Sequence, residues 1–309
     1  PPHASTTGNE VQAMRYGRGV ALVLAAGSLW SLMGLGLRQI EAASVWQILF
    51  WRSVGMVPVL LAFIWWTSGG RPLDQIRKVG LAGAIGGFGL VFAFAGAIYA
   101  IQTTTIANAV FLFTASPFVA AILGWIILGE RVKPWTWAAI GLAVFGMYLM
   151  VREGLAMGAL AGNLAALLSA VGFGAFSVCL RWGKVGEMLP VSMLGGVFSV
   201  IVAGLVLTAT GAAIPASPWD MGVSAAIGAV ILALGMVMFT LGSKVIPAAE
   251  LTLLSLIEVL LAPIWVFLFL GETASPATFI GGGVLLAAVA LNAVMGARSP
   301  RNEGVAETS

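Results

Sequence analysis

Residues 107–134, ANAVFLFTASPFVAAILGWIILGERVKP, and residues 248–276, AAELTLLSLIEVLLAPIWVFLFLGETASP, decide the fold of this chain. Each is an apolar run of about 20 residues, long enough to cross a ~30 Å hydrocarbon layer as helix. Each closes on Gly-Glu with a proline shortly beyond. A shift of 142 residues lays Gly129-Glu130 on Gly271-Glu272, Pro134 on Pro276, Thr136 on Thr278 and Gly141 on Gly283. The two turns differ in charge: GERVKP carries Arg131 and Lys133, whereas GETASP has Thr273 and Ser275 in their places. Basic residues collect on the cytoplasmic side of membrane proteins, so the two turns are expected on opposite faces. An odd number of spans per repeat produces that inversion.

Outward from these two runs, the chain reads as an all-α membrane protein: ten transmembrane helices in two inverted five-helix repeats. Of its 309 residues 60% are hydrophobic and 9% charged, against about 25% charged in a soluble domain. The spans are predicted at 19–38, 46–67, 78–101, 105–129 and 134–151, then at 157–182, 188–210, 221–243, 247–271 and 276–296. The repeats therefore occupy residues 19–151 and 157–296, flanked by polar tails at 1–18 and 297–309, the second expected to be disordered. With the N-terminus inside, 12 of the 15 basic residues fall at cytoplasmic ends; Arg38 and Arg152 lie outside and Arg52 within a span. Both termini are thus expected in the cytoplasm and the protein in the plasma (inner) membrane. The run after Arg15 and Arg18 is too long for a signal-peptide core and is read as a retained helix. The pI of 9.4 reflects these topogenic charges rather than nucleic-acid binding.

The same composition argues against most catalysts. His3 and Cys179 are the only histidine and cysteine, and His3 is in the tail. A Ser-His-Asp triad, a membrane His/Cys metal site and an internal disulfide all lack their residues, and no cofactor is expected. The glycines of residues 83–89 lie in an apolar run and read as helix packing, as do Gly83/Gly87 and Gly158/Gly162 at small-xxx-small spacing, rather than as a phosphate loop. A receptor-like or structural membrane protein would not need an inverted duplication.

On the two quoted runs, and on Trp30-Ser31 in the first span, the sequence resembles the EamA-type permeases of the drug/metabolite transporter superfamily over nearly its whole length. The resemblance implies two inverted repeats around a central cavity, alternating access, and a small-molecule substrate from among amino acids, nucleosides, sugars, drugs and other metabolites. The aromatic amino acid exporters are the most suggestive relatives, so an amino acid or related compound moved outward is the first expectation. Similar permeases often place an acidic residue directly before proline in the ninth span, whereas here Glu258 precedes Val259 and the proline is Pro263.

The candidate site residues are Trp30, Arg52, Tyr99, Ser255 and Glu258, with Gln102 a further polar candidate. Arg52 and Glu258 lie at similar depth, each roughly 12 to 14 Å from the outer face at helical rise. Neither has a charged repeat mate: aligning the first and sixth spans on Arg38 and Arg181 sets Gly195 opposite Arg52, and Ser116 stands opposite Glu258. They are read as a mutual ion pair or as a two-ended clamp for a zwitterion, with Glu258 the candidate carrier of a coupling proton. Arg52 snorkelling beside Trp46 and Trp51, and a protonated Glu258 bonded to a neighbouring helix, are the plainer readings. Glu130 and Glu272 sit at helix C-termini, where the dipole disfavours a carboxylate, and are read as structural turns held by amides of the helices led by Pro134 and Pro276. Glu250 and its mate Asn108 read as first-turn caps. Pro58, Pro117 and Pro263 are possible kinks.

Overall fold

The computed structural model describes residues 4–156 and 159–298. Met157, Gly158, His3 and the residues beyond 298 lie outside the described residues, and with them the start of the predicted sixth span and most of the C-terminal stretch for which disorder is expected. Among the described residues, ten helices are long and apolar enough to cross a membrane. They are α1 (Ala4–Ser31, continued by Met33–Leu37), α2 (Val45–Thr67), α3 (Gly80–Thr103), α4 (Ile106–Phe113 and Ser116–Leu128) and α5 (Pro134–Ala156). The second set is α6 (Leu160–Trp182), α7 (Met188–Ala209), α8 (Pro218–Ala226, Ile227–Leu234 and Gly235–Ser243), α9 (Ala248–Ser255 and Ile257–Leu270) and α10 (Pro276–Arg298). A short helix, Pro72–Lys78, joins α2 to α3. The helix of α1 begins inside the stretch expected to be a tail, because once a helix is nucleated each further residue adds a hydrogen bond, and polar residues propagate it beyond the apolar part.

The packing is symmetric under exchange of the repeats, and it interleaves them. The first helix of each repeat packs on the third and fourth helices of the other: α1 lies against α8 and α9, and α6 against α3 and α4. The second helices meet as α2 on α7, and the fifth as α5 on α10. Glycines set how closely these helices approach. Gly87 of α3 leaves room for the backbone of α7, where an added Cβ would lie 3.2 Å from the Gly195 nitrogen. At Gly228 of α8 it would lie 1.8 Å from the Arg52 carbonyl oxygen, so α2 and α8 touch backbone to backbone. Gly129 and Gly271 end their helices with φ of +67° and +64°, a left-handed cap that glycine adopts without strain.

α4 and α9 are each broken, and at matching places: α4 at Thr114 and Ala115, α9 at Leu256, which is the repeat mate of Thr114. Pro117 explains the first break, since its nitrogen has no hydrogen for the Phe113 carbonyl. Proline does not explain the second. Pro263 lies inside an unbroken helix well past Leu256, as does Pro58 in α2. The α9 break lies against α1 at a close approach: a Cβ on Gly27 would lie 2.5 Å from Cγ2 of Ile257. α8 departs from its mate α3 in another way, through a π-helical turn over Ile227–Leu234. Such turns redirect a helix and leave carbonyls open to side chains.

Candidate functional site

The expected site residues fall into two groups, joined by the π segment of α8. On one side, Trp30 of α1 stacks on Phe239 of α8 at 5.4 Å between centroids and directs Nε1 toward the Leu232 carbonyl at 3.5 Å. One residue on, Ser31 donates to the Ser28 carbonyl and accepts from Nε1 of Trp265 on α9 at 2.9 Å. This contact sits where α1 breaks, before Met33. Glu258 occupies the first turn of the second half of α9, against Gly27 of α1, a position where the helix dipole favours a carboxylate. It is half-buried. Ser255, just before the break, spends its hydroxyl on the Thr252 carbonyl at 2.8 Å. Its donor is therefore satisfied within its own helix rather than held for a ligand.

On the other side, Arg52 is the largest fully buried side chain among the described residues, 1% exposed. Its guanidinium lies over the Phe94 ring of α3 at 4.6 Å, and Phe94 in turn meets Phe173 of α6 edge-on. Nε and Nη2 are buried with no hydrogen-bond partner. The expected ion pair to Glu258 is not formed: helices α2 and α9 turn these charges toward different neighbours, α3 for Arg52 and α1 for Glu258. The π segment touches both groups, through Gly228 on the Arg52 carbonyl and Leu232 facing Trp30. Tyr99 belongs to neither group and is 39% exposed on α3.

Glu130 and Glu272 have partners other than those expected. Glu272 accepts from the Ile106 amide at 2.8 Å and pairs with Arg38 at 3.1 Å, while Arg38 also donates to the Thr104 carbonyl at 2.9 Å. Glu130 pairs with Arg181 at 3.0 Å, and Arg181 donates to the Ala120 carbonyl at 3.0 Å. The carboxylates thus reach across to the opposite repeat, where an arginine offsets the helix-end dipole more strongly than amides of the following helix can. Arg38 and Arg181 are the repeat mates used to align the first and sixth spans, so the two pairs are symmetric copies at opposite ends of the molecule. Arg38, an exception to the distribution of basic residues, is a neutralised charge.

The helix starts are tied in the same way. The Asn108 amide of α4 donates to Asn163 of α6, and the Tyr16 hydroxyl of α1 donates to Glu250 of α9. Asn108 and Glu250 thus serve as cross-helix ties, with Thr105 the true cap of α4.

Asp220 adds a structural tie that the sequence pattern does not reveal. Buried at the start of α8, it accepts the backbone N–H groups of Glu41, Ala42 and Ala43 at 2.9, 3.1 and 3.0 Å. The available signal was Ser217-x-x-Asp220, a capping-box spacing, and Ser217 does cap that helix. The three amides it captures lie far away in sequence and left no trace.

The two interleaved repeats agree with comparison to known proteins. The family profile described as "EamA-like transporter family" matches twice, over residues 17–152 and 160–294. The chain belongs to this family. Its members are transporters rather than enzymes. An "Uncharacterized transporter" of Archaeoglobus fulgidus is 28% identical over 286 residues, covering 90% of this chain and 96% of its own length. "Uncharacterized transporter YwfM" of Bacillus subtilis is 26% identical over 68% of this chain and 71% of its own length. Human "Solute carrier family 35 member G1" is 26% identical over 62% of this chain and 54% of its own length. A solved crystal structure superposes with a TM-score of 0.64, covering 91% of this chain and 99% of that one at 17% identity, which supports the fold alone. The protein is therefore a multi-pass membrane transporter of the EamA type, with a small-molecule substrate and a bilayer as its surroundings.

Proposed function

We infer that this transporter moves a small carboxylate-bearing metabolite, an amino acid foremost, by alternating access and in the outward direction. The observation that supports this reading is Arg52. A charge near mid-membrane costs at least ~2.5 kcal/mol by insertion scales, so it is retained where it has a partner or a function. Here Nε and Nη2 have no protein acceptor. The planar fork of a guanidinium matches a carboxylate, and Phe94 beneath it offers an aromatic surface for the rest of the substrate. Glu258, half-buried and in no ion pair with Arg52, is suited to the substrate ammonium or to a coupling proton. Export follows from the resemblance to aromatic amino acid exporters. Nucleosides, sugars and neutral drugs are the competing substrates, and they would leave Arg52 unmatched.

Counterflow in proteoliposomes, with separate pools of amino acids, other carboxylates, nucleosides and sugars, tests the reading. Carboxylate counterflow is expected; exchange confined to the nucleoside or sugar pool would exclude it. Glu258→Gln separates its two roles: loss of counterflow itself assigns Glu258 to the substrate ammonium, and intact counterflow that no longer accelerates in a pH gradient assigns it to a coupling proton.

The asymmetry of basic residues supports both termini and the Gly129-Glu130 turn lying in the cytoplasm of a plasma (inner) membrane protein, and the Gly271-Glu272 turn outside. Cysteines at Lys133 and Ser275, in a Cys179→Ser background, are expected to react with an impermeant maleimide from opposite sides. Reaction from one side would remove the inverted topology.

A further inference from the structure

The two symmetric ion pairs are not equivalent, and the difference is carried by one pair of repeat mates. At one end, Arg38 and Glu272 leave their own helices and hold the start of α4, through the Thr104 carbonyl and the Ile106 amide. They join α1 and α9 to α4, and that end is shut: Ile106 is fully buried, with its side chain against Gly34 of α1. Applied to the other end, the repeat symmetry makes Ile246 the mate of Thr104 and therefore the acceptor for Arg181. Arg181 instead donates to Ala120, on α4, the helix that also supplies Glu130. Its guanidinium is folded back along α4 rather than reaching toward the loop before α9.

Gly124 allows this. A Cβ there would lie 2.3 Å from Glu130 Oε2 and 2.7 Å from Arg181 Nη2, so the pair occupies the space that a side chain would fill. The mate of Gly124 is Val266, 2% exposed on α9. By the repeat symmetry its isopropyl group stands where Gly124 leaves room at the other end, which denies Arg38 the same resting place.

We propose that the two ion pairs are unequal latches of the transport cycle: Arg38–Glu272 closes its end by crossing to α4, while Arg181–Glu130 rests over Gly124 and crosses to the Ile246 carbonyl only when the Arg38 end opens. The proposal rests on the alternating-access reading above, and it adds which residues close each end and why one latch has a resting place. A two-state machine needs closure of one end to release the other, and the single resting place biases this protein toward the state with the Arg38 end shut.

The test reads access to the shut end. Ile106→Cys is introduced in a Cys179→Ser background and its reaction with a water-soluble maleimide is measured in open membrane fragments, where both faces are accessible and no substrate is needed. Glu272→Gln, which removes the latch directly, is expected to raise labelling at least about five-fold. Gly124→Ala is the decisive variant. The atoms its methyl would crowd are the far ends of Glu130 and Arg181, not backbone, so the helices need not move. It evicts Arg181 from its resting place and is expected to raise labelling by a similar factor at a site 18 residues, or roughly 27 Å, along the same helix. Val266→Gly, which gives Arg38 the missing space, provides a second variant and is expected to do the same. Unchanged labelling in Gly124→Ala and Val266→Gly, with Glu272→Gln active, would overturn the resting-place claim. Unchanged labelling in all three would overturn the latches altogether. The pattern is read without substrate, so latches that behave as expected in a protein that moves no carboxylate would leave this proposal standing and remove the substrate reading.

Discussion

Arg52→Gln is expected to lower carboxylate counterflow about 10- to 100-fold, the loss of one charge-assisted hydrogen-bonded contact worth ~1.5–3 kcal/mol. Its effect on stability should be small, and that combination is informative. The cation–π contact with Phe94 stabilises the fold by about 2 kcal/mol in a desolvated setting, while burying the charge costs at least ~2.5 kcal/mol. With Nε and Nη2 unbonded, no network offsets that cost. The two terms nearly cancel, so the unfolding free energy in detergent should change by only about 1 kcal/mol. Arg52→Lys keeps the charge and loses the fork, and is expected to fall between wild type and Gln in counterflow. A strongly destabilised Arg52→Gln with normal counterflow per folded molecule would make Arg52 a structural residue and withdraw it from the site.

Asp220→Ala should have the largest effect on the fold itself. The carboxylate is 1% exposed and accepts three successive backbone N–H groups of the α1–α2 loop. Each donor left unsatisfied costs about 1–3 kcal/mol, so a loss of more than ~3 kcal/mol is expected, read as a lower unfolding temperature and reduced membrane abundance. Asp220→Asn keeps one acceptor oxygen and should retain part of the stability. Trp219, which donates from Nε1 to the Gln39 carbonyl at 3.0 Å, braces the same loop. Trp219→Phe should cost about 1 kcal/mol, the net value of a single neutral bond. These contacts join the α1–α2 connection of one repeat to α8 of the other, so their loss would loosen the interleaving on which the symmetric packing depends.

Local chemistry explains what could be read in advance. Two apolar runs ending in Gly-Glu before proline are recognisable because a helix that spans a bilayer must be long, apolar and capped within one stretch of chain. Inversion was legible because charge placement beside a span is also local: Arg131 and Lys133 stand where Thr273 and Ser275 stand in the copy. The matching breaks in α4 and α9 were only half legible. Pro117 marks the first, but the second lies where Gly27 of α1 meets Ile257, more than 200 residues away in the chain. The partners of Glu130 and Glu272 show the same limit. Their helix-end position was plain, but an arginine in the opposite repeat prevailed over the nearest amides. Tyr99 and Ser255 qualified by residue type; one lies on an exposed face and the other bonds its own helix.

The sequence by itself determined the bilayer as solvent, the ten spans, the inverted duplication and the membership of Arg52 and Glu258 in a set of charges without repeat mates. All of these depend on composition, period or self-comparison along one chain. Only the tertiary structure decided that the repeats interleave, that Arg52 faces Phe94 rather than Glu258, that Asp220 binds a distant loop, and that Gly124 and Val266 make two symmetric ion pairs unequal. The reason is physical. Which partner a charge finds in a low-dielectric interior depends on the few ångströms of space left by glycines and filled by valines on other helices. That space is a property of the packed molecule, not of any segment of the chain.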